Sequence, residues 1–398
     1  MGLTIGIRKK LLFSGMAFAL VMGLSYGVAV LWRTVMFYRA SKHFTMWWEG
    51  RTYQHDKVLG YSAIKSSTGL LCYPEGLRTF VGYDIYGFRR TIDEPVDRVL
   101  KRPLILTLGC SHTWGHPLVA EDTFAHKIAE RMHGSSLNAA LGGYGLSQAL
   151  ILARDLVPKY KPDYVIVQWS AWMGDRSIKV FAPVSYGLCP TPYFTKSKDF
   201  SSVLAMPVFM PIVYDIPVAR YVKSNVSVSD FVSFAWNVGA PLYLHDDYNV
   251  VKYNLSFAAK RIPPPVRHDE MGIVVNDVYN EISGLCKANG SKMIILVLGV
   301  SNHKDKVPYT SEISSIKNAV VVDGLAYLYS NLDDKTEESY AKAYATWGGE
   351  PLHIIDDHPN VRAHELIAEA VVSAIEKGSP SFGLANNVRE EAKSNSVR

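Results

Sequence analysis

The chain has 398 residues, 48% hydrophobic and 20% charged, with a formal net charge of +5. That is enough for one large domain with attachments or two smaller ones, and it excludes collagen-like, coiled-coil and disordered classes. The excess charge sits at the front. Residues 1–45 carry six basic residues (Arg8, Lys9, Lys10, Arg33, Arg39, Lys42) and no acidic one, leaving 36 basic against 37 acidic in the rest. A near-neutral remainder offers no broad attraction for nucleic acid.

From Leu11 to Trp32 the run LLFSGMAFALVMGLSYGVAVLW holds no charged residue across 22 positions. At ~1.5 Å per residue it spans a ~30 Å hydrocarbon core, so residues 1–33 are expected to form an N-terminal transmembrane anchor. Arg8-Lys9-Lys10 place the N-terminus in the cytoplasm and the rest of the chain in the periplasm or beyond, an inner-membrane, single-pass arrangement. Arg33 and Arg39 weigh the other way, but the triplet is denser. A cleaved signal peptide is the alternative, for which the segment is long and its small-residue exit site poor. The four cysteines, Cys72, Cys110, Cys189 and Cys286, match no zinc spacing and are too sparse for a disulfide scaffold. Outside the cytoplasm one or two bridges are allowed, and their pairing is not legible.

Residues 34–102 read as a β-rich lead-in. Strand-like pieces such as HDKVLGY (His55–Tyr61) and YDIYGFRR (Tyr83–Arg90) are punctuated by Gly and Pro. From Pro103 the pattern changes. PLILTLG is a short apolar run, as expected of a strand covered on both faces. AEDTFAHKIAERMHG reads as a helix with an acidic start and a glycine stop. SSLNAA is a weak second strand, LSQALILARDLVPKY a helix ending at Pro158, and DYVIVQW a third strand. A helix near Glu270–Lys287, strands KMIILVLG and AVVVDG, and a helix over Val361–Lys377, started by Pro359-Asn360, complete the alternation. The expected fold is α/β: a doubly wound parallel sheet, flavodoxin-like and three-layered, over residues 103–383. Residues 173–268 interrupt it as an aromatic- and Pro-rich insertion, a lid or substrate wall, and residues 384–398 read as a disordered tail.

Three stretches carry chemistry: Gly109-Cys110-Ser111-His112-Thr113 at the end of the first strand, Asn138 to Gly145, and Ile355-Asp356-Asp357-His358-Pro359-Asn360 before the last helix. Acyl transfer needs a hydroxyl nucleophile, a base, a carboxylate to orient the base, and donors for the oxyanion. Ser111, His358 and Asp356 fit the first three roles, and the N–H groups of Ser111 and Gly143 the last. His112 and His116 stand four apart, but Gly115 and Pro117 spoil a helix there and no further ligand cluster supports a metal. No cofactor is expected either, since no phosphate-loop pattern follows Gly142-Gly143.

These blocks resemble the SGNH (GDSL-type) hydrolase superfamily, especially its bacterial membrane-anchored, cell-envelope members. The matches are Gly109–Gly115, Glu121–Phe124, Asn138 with Gly143-Tyr144-Gly145, Tyr160–Asp163, and Asp356 with His358-Pro359-Asn360 and His364. The likeness runs from about residue 55 to 377, with residues 173–290 unmatched. It implies a serine-dependent carbohydrate O-acyl (acetyl) esterase or O-acyltransferase acting on an envelope or extracellular polysaccharide. It also implies Asn138, Gly143 and Tyr144 as substrate or oxyanion groups. Expected partners are an acylated glycan, the membrane and polysaccharide-assembly proteins. The alternative is a catalytically weak glycan-binding module of the same fold. Three departures stand out. Cys110 replaces the usual Asp. The oxyanion Asn of the third block falls near Trp172, whose indole N–H is either a substitute donor or part of a sugar-pocket wall. The last-block Asp stands two residues before His358 rather than three, with Asp357 as the badly placed alternative orienter. His364 reads as structural.

Overall fold

The computed structural model describes residues 5–41, 46–73, 75–184, 187–196, 202–205, 227–259, 261–300, 308–377 and 381–382. One long helix, Ile5–Ser41 (α1), opens the chain, and its Lys9–Met36 portion is long and apolar enough to cross a membrane. The lead-in contributes strands Trp47–Glu49 (β1), Tyr53–Asp56 (β2), Gly60–Ala63 (β3), Thr68–Cys72 (β4), Arg78–Tyr83 (β5) and Arg89–Arg90 (β6). Of YDIYGFRR only Tyr83, the end of β5, and the last pair are strand. Asp84 Oδ1 accepts the N–H groups of Tyr86 and Phe88, both at 2.9 Å, so its short side chain holds the intervening residues in a turn.

The central alternation follows: Leu104–Leu108 (β7), Ser111–Trp114 (α2), Phe124–Arg131 (α3), Ser135–Asn138 (β8), Leu146–Tyr160 (α4), Tyr164–Trp169 (β9) and Ala171–Ser177 (α5). β7 is buried at all five positions, as its unbroken apolar run requires. α3 starts later than the acidic residues suggest. Ala120–Asp122 is a 3-10 turn, and Thr123 is the true cap, accepting the His126 N–H at 3.3 Å. α4 runs two residues past Pro158. A proline this close to the end removes one hydrogen bond of the last turn, and Lys161 closes the helix in the left-handed region with φ 43°.

The insertion holds two described hairpins, Phe181–Val184 (β10) with Gly187–Pro190 (β11) and Tyr193–Lys196 (β12) with Ser202–Ala205 (β13). The helices Val228–Phe234 (α6) and Ala240–Ala258 (α7) follow, joined by a π turn over Ala235–Gly239. The α6–α7 segment lies against α1, which the lid-or-wall reading did not foresee. The chain then returns to the core through Met271–Ala288 (α8), Lys292–Val297 (β14), Thr310–Ser314 (α9), Ala319–Asp323 (β15), Gly324–Ser330 (α10) and Glu337–Tyr344 (α11). The hairpin Thr346–Gly348 (β16) with His353–Asp356 (β17), helix Val361–Lys377 (α12) and strand Ser381–Phe382 (β18) end the described part; the expected tail lies outside it. Residues Cys72, Cys110 and Cys286 are buried free thiols.

The main sheet runs β1-β4-β5-β6-β8-β7-β9-β14-β15-β18. Strands β8, β7, β9, β14 and β15 are parallel, and taken alone they follow the order 2-1-3-4-5 of flavodoxin-like sheets. Of the lead-in strands, β6, β5, β4 and β1 extend the same sheet antiparallel from β8, making it mixed, while β2 and β3 pair apart as a hairpin; short turns join antiparallel neighbours whereas parallel ones need long crossovers. α4 and α8 pack one face around Val165, Val167 and Ile295. α3, α10 and α12 pack the other around Ile105, Ile166 and Leu296. Three short helices, α9 to α11, were not foreseen; α10 is started by Asp323, whose Oδ1 accepts the Ala326 N–H at 2.8 Å.

His364 is fully buried on α12. Its Nδ1 accepts the Phe124 N–H at 2.9 Å and its ring stacks on Phe124, which fits the structural reading. Burial, followed by the charges of Arg89 and Lys127, pulls it down to about 3. The unfolded chain takes up this proton near pH 6.5 and the folded one only near 3. Stability is thus complete above pH 6.5 and lost as pH falls toward 3, by up to about 5 kcal/mol from this group. Denaturant titrations at pH 7 and pH 4 are expected to differ less for His364→Asn than for the native chain. An unchanged difference would show that His364 does not govern the acid loss.

Candidate active site

β7 ends at Leu108, and Gly109 turns the chain so that Ser111 begins α2. A Cβ at Gly109 would stand 2.3 Å from Thr113 Oγ1 and 2.6 Å from Gln168 Oε1, so glycine is required here. Gln168, near the end of the neighbouring strand β9, holds the turn. Its Oε1 accepts from Thr113 Oγ1 at 2.7 Å and from the Cys110 N–H at 3.1 Å, and its Nε2 donates to Ser170 Oγ at 2.7 Å. The third block comes from β17 and the loop into α12, where Asn360 Oδ1 caps the helix by accepting the Ala363 N–H at 3.1 Å. This loop ends over the carboxyl edge of the parallel strands, beside Ser111.

The three sequence-predicted groups converge. Ser111 Oγ lies 2.8 Å from His358 Nε2, and His358 Nδ1 lies 2.7 Å from Asp356 Oδ1. An ionised carboxylate only accepts, so Nδ1 carries the imidazole proton and Nε2 is free to accept from Ser111. Asp356 Oδ1 also accepts the His358 N–H at 2.8 Å, which locks the two-residue spacing into a productive turn. Asp357 does not compete: its Oδ1 stands 3.7 Å from Nδ1 and its side chain is 78% exposed.

Two further residues, unassigned from the sequence, complete the carboxylate. Tyr73, from the lead-in, donates its hydroxyl to Asp356 Oδ2 at 2.6 Å, and His116 Nδ1 sits 3.0 Å from the same oxygen. Burial pushes the Asp356 carboxyl up. The hydrogen bonds and charges of His116 and His358 more than offset this and hold it far below the usual carboxylate range. Burial, with the carboxylate beside it, pushes the Tyr73 hydroxyl far up, so it stays a donor. His116, Asp356 and His358 bring one ligand atom each within 4.8 Å, and the hydrogen bonds just described use the same side chains.

In the second block, Asn138 and Tyr144 bond backbone groups. Asn138 is buried, donates from Nδ2 to the Thr113 carbonyl at 3.0 Å and accepts the Ala140 N–H at 3.2 Å. It ends the strand beside β7, so its side chain stitches the Ser111–Trp114 turn to the next loop. Tyr144 is 2% exposed and donates its hydroxyl to the Tyr61 carbonyl at 2.7 Å, so it braces the loop. Gly143 has φ +86°, with the Tyr61 hydroxyl 2.5 Å from any added Cβ. Only glycine fits there. Trp172 opens α5, and its indole N–H bonds Cys110 Sγ at 3.2 Å.

Between the Trp172 and His358 rings, each 4.9 Å away, stands His112, buried with both ring nitrogens lacking a hydrogen bond among the described residues. Burial, then the charge of His358, drives it well below the ordinary histidine value, so it is neutral. Below the site, the buried Arg89 guanidinium stacks 3.8 Å over Trp114 and bonds the Trp114, Gly115 and Leu118 carbonyls, fixing the segment that carries His116. Burial lowers it to about 10, still protonated at neutral pH.

No family model and no curated protein matches this chain. Several solved structures do. TesA is 10% identical over 69% of this chain and 98% of its own, at a TM-score of 0.35. A catalytic mutant of Axe2, an acetylxylan esterase from Geobacillus stearothermophilus, is 14% identical over 70% and 95%, at 0.35. A lipolytic protein of the G-D-S-L family from Desulfitobacterium hafniense DCB-2 is 11% identical over 68% and 99%, at 0.34. Overlap this weak says nothing about chemistry. The strand order and the placement of the three blocks at the carboxyl edge make the fold SGNH-hydrolase-like.

Proposed function

We propose that this protein is a membrane-anchored serine esterase or O-acyltransferase. The observation that carries it is the hydrogen-bonded chain from Ser111 Oγ through His358 to Asp356, at 2.8 and 2.7 Å. Ser111 attacks an ester carbonyl while His358 Nε2 takes its proton. The oxyanion rests on the N–H groups of Ser111 and Gly143. Collapse of the tetrahedral intermediate returns the proton to the leaving alkoxide and leaves an acyl-serine, which water or a sugar hydroxyl then cleaves with His358 again as base. Acyl transfer in place of hydrolysis depends on keeping water from the acyl-serine.

The carbohydrate ester, acetyl in particular, follows from the resemblance of the sequence blocks to cell-envelope members. The apolar run of α1 and the basic triplet in its first turns support an inner-membrane location with the catalytic domain outside the cytoplasm. A second reading, a weakly catalytic glycan-binding module, draws on Trp172. Its N–H is engaged by Cys110, and a site short of one oxyanion donor loses about 3–4 kcal/mol of transition-state stabilisation. Labelling the detergent-solubilised full chain with a fluorophosphonate separates the two. An adduct on Ser111 that disappears in His358→Ala supports the enzyme, and a folded chain that takes no label supports the module.

Tyr73 and His116 act through Asp356 as positioning residues. Hydrogen bonds to a charged group contribute about 1.5–3 kcal/mol, so Tyr73→Phe and His116→Phe are each expected to lower kcat by about 10- to 100-fold with KM little changed. The readout is the split between the two constants in a variant whose fold is intact by circular dichroism, and an unchanged kcat would refute this role.

A further inference from the structure

The insertion touches the anchor inside the apolar run. Along α1 the contacts come in register with α6–α7, which runs parallel to it. The Trp236 ring edge lies 3.7 Å from where a Gly27 Cβ would stand, and the Tyr26 hydroxyl donates to the Ala240 carbonyl at 2.8 Å. Beyond these, Arg33 pairs with Asp247 at 2.9 Å and lies 4.8 Å over the Tyr243 ring. Val30 and Thr34 of α1 are fully buried by this packing, whereas Leu11 to Leu24 stay exposed.

Contact fixes depth. Gly27 stands six residues before Arg33, about 9 Å along the helix and within the uncharged run that ends at Trp32. Whatever depth Gly27 takes, Trp236 shares it. The insertion's own sequence suits that depth: Phe231–Leu244, FVSFAWNVGAPLYL, has 14 residues and no charge, bounded by Asp230 on one side and Asp246-Asp247 on the other. An uncharged run of about 14 residues is too short to span a bilayer and has the length of a re-entrant or interfacial segment. The segment exposes Val232 and Leu244, and half of the Trp236 ring, apolar groups that the described residues leave uncovered. The π turn over Ala235–Gly239, followed by Pro241, gives the segment a place to bend where it meets the anchor.

We propose that Phe231–Leu244 is a second membrane-contacting element, buried in the acyl chains against α1, with the Arg33–Asp247 pair at the outer headgroup boundary. The insertion thereby holds the catalytic domain against the bilayer by two attachments instead of one flexible stalk. This rests on α1 spanning the membrane, as in the proposed function.

The test uses the full chain in phosphatidylcholine–phosphatidylglycerol vesicles, spin-labelled in turn at Val232→Cys, Leu244→Cys, Leu20→Cys and Glu338→Cys, with the parent chain giving the background from native thiols. Collisions with oxygen report lipid and collisions with a water-soluble nickel complex report solvent. Labels at 232 and 244 are expected to match Leu20→Cys, with oxygen contact high and nickel contact low. If Leu20→Cys reports lipid but 232 and 244 match the solvent-exposed Glu338→Cys, the second element is refuted and the anchor stands. If Leu20→Cys itself reports water, both readings fall.

Discussion

Ser111→Ala is expected to lower kcat for hydrolysis of a simple acetyl ester by about 10⁵-fold or more, with the protein still folded. Ser111 Oγ is the atom that His358 Nε2 reaches, at 2.8 Å, and the other reactive side chain beside it is differently placed. Cys110 Sγ stands 3.9 Å from Ser111 Oγ and receives N–H groups from Gln168 at 3.1 Å and Trp172 at 3.2 Å. A thiol so engaged does not take over when the hydroxyl is removed. The variant changes one oxygen atom in a turn held by Gln168 and Asn138, so circular dichroism should be unaltered. Retained activity in Ser111→Ala, with loss in Cys110→Ala, would overturn the assignment of the nucleophile.

The second large effect is expected from Asp356→Asn, about 10⁴-fold in kcat by the logic of other triads. The carboxylate holds the His358 proton on Nδ1, 2.7 Å away. An amide that presents its NH₂ to that nitrogen favours the opposite tautomer, with the proton on Nε2, and the imidazole then no longer accepts from Ser111. The same change leaves Tyr73 and His116 facing an amide instead of a charge. Asp357→Asn is the control, since its carboxylate is exposed and 3.7 Å from Nδ1, and it should change kcat by less than about twofold. If Asp357→Asn lost activity and Asp356→Asn kept it, the orienting residue would be misassigned.

The proposed nucleophile, base and carboxylate were legible because each lies in a local pattern: a strand ending in Gly-Cys-Ser, and an Asp-Asp-His-Pro-Asn loop before a capped helix. Tyr73 and His116 were not. Tyr73 comes from the lead-in, 283 positions before Asp356, and no short pattern marks a tyrosine for that contact. His116 was visible only as half of a four-residue histidine spacing, and it turned instead toward a carboxylate 240 positions away. Asn138 and Tyr144 show the opposite case. Their place in a motif suggested substrate contact, but an amide at a strand end and a hydroxyl beside a buried carbonyl are used by the backbone around them.

The membrane-length helix, the five strands of the parallel sheet and the three residues proposed for catalysis were legible in the sequence alone, because apolar runs, strand–helix alternation and turn chemistry act within a few residues of each other. Tertiary structure decided the rest: the joining of the lead-in to the central sheet, the double anchoring of Asp356 Oδ2, the burial of His112 between two rings, and the packing of the insertion on α1. Each of these brings together groups far apart in the chain, where the free energy comes from burying apolar area and satisfying polar atoms that no local pattern records.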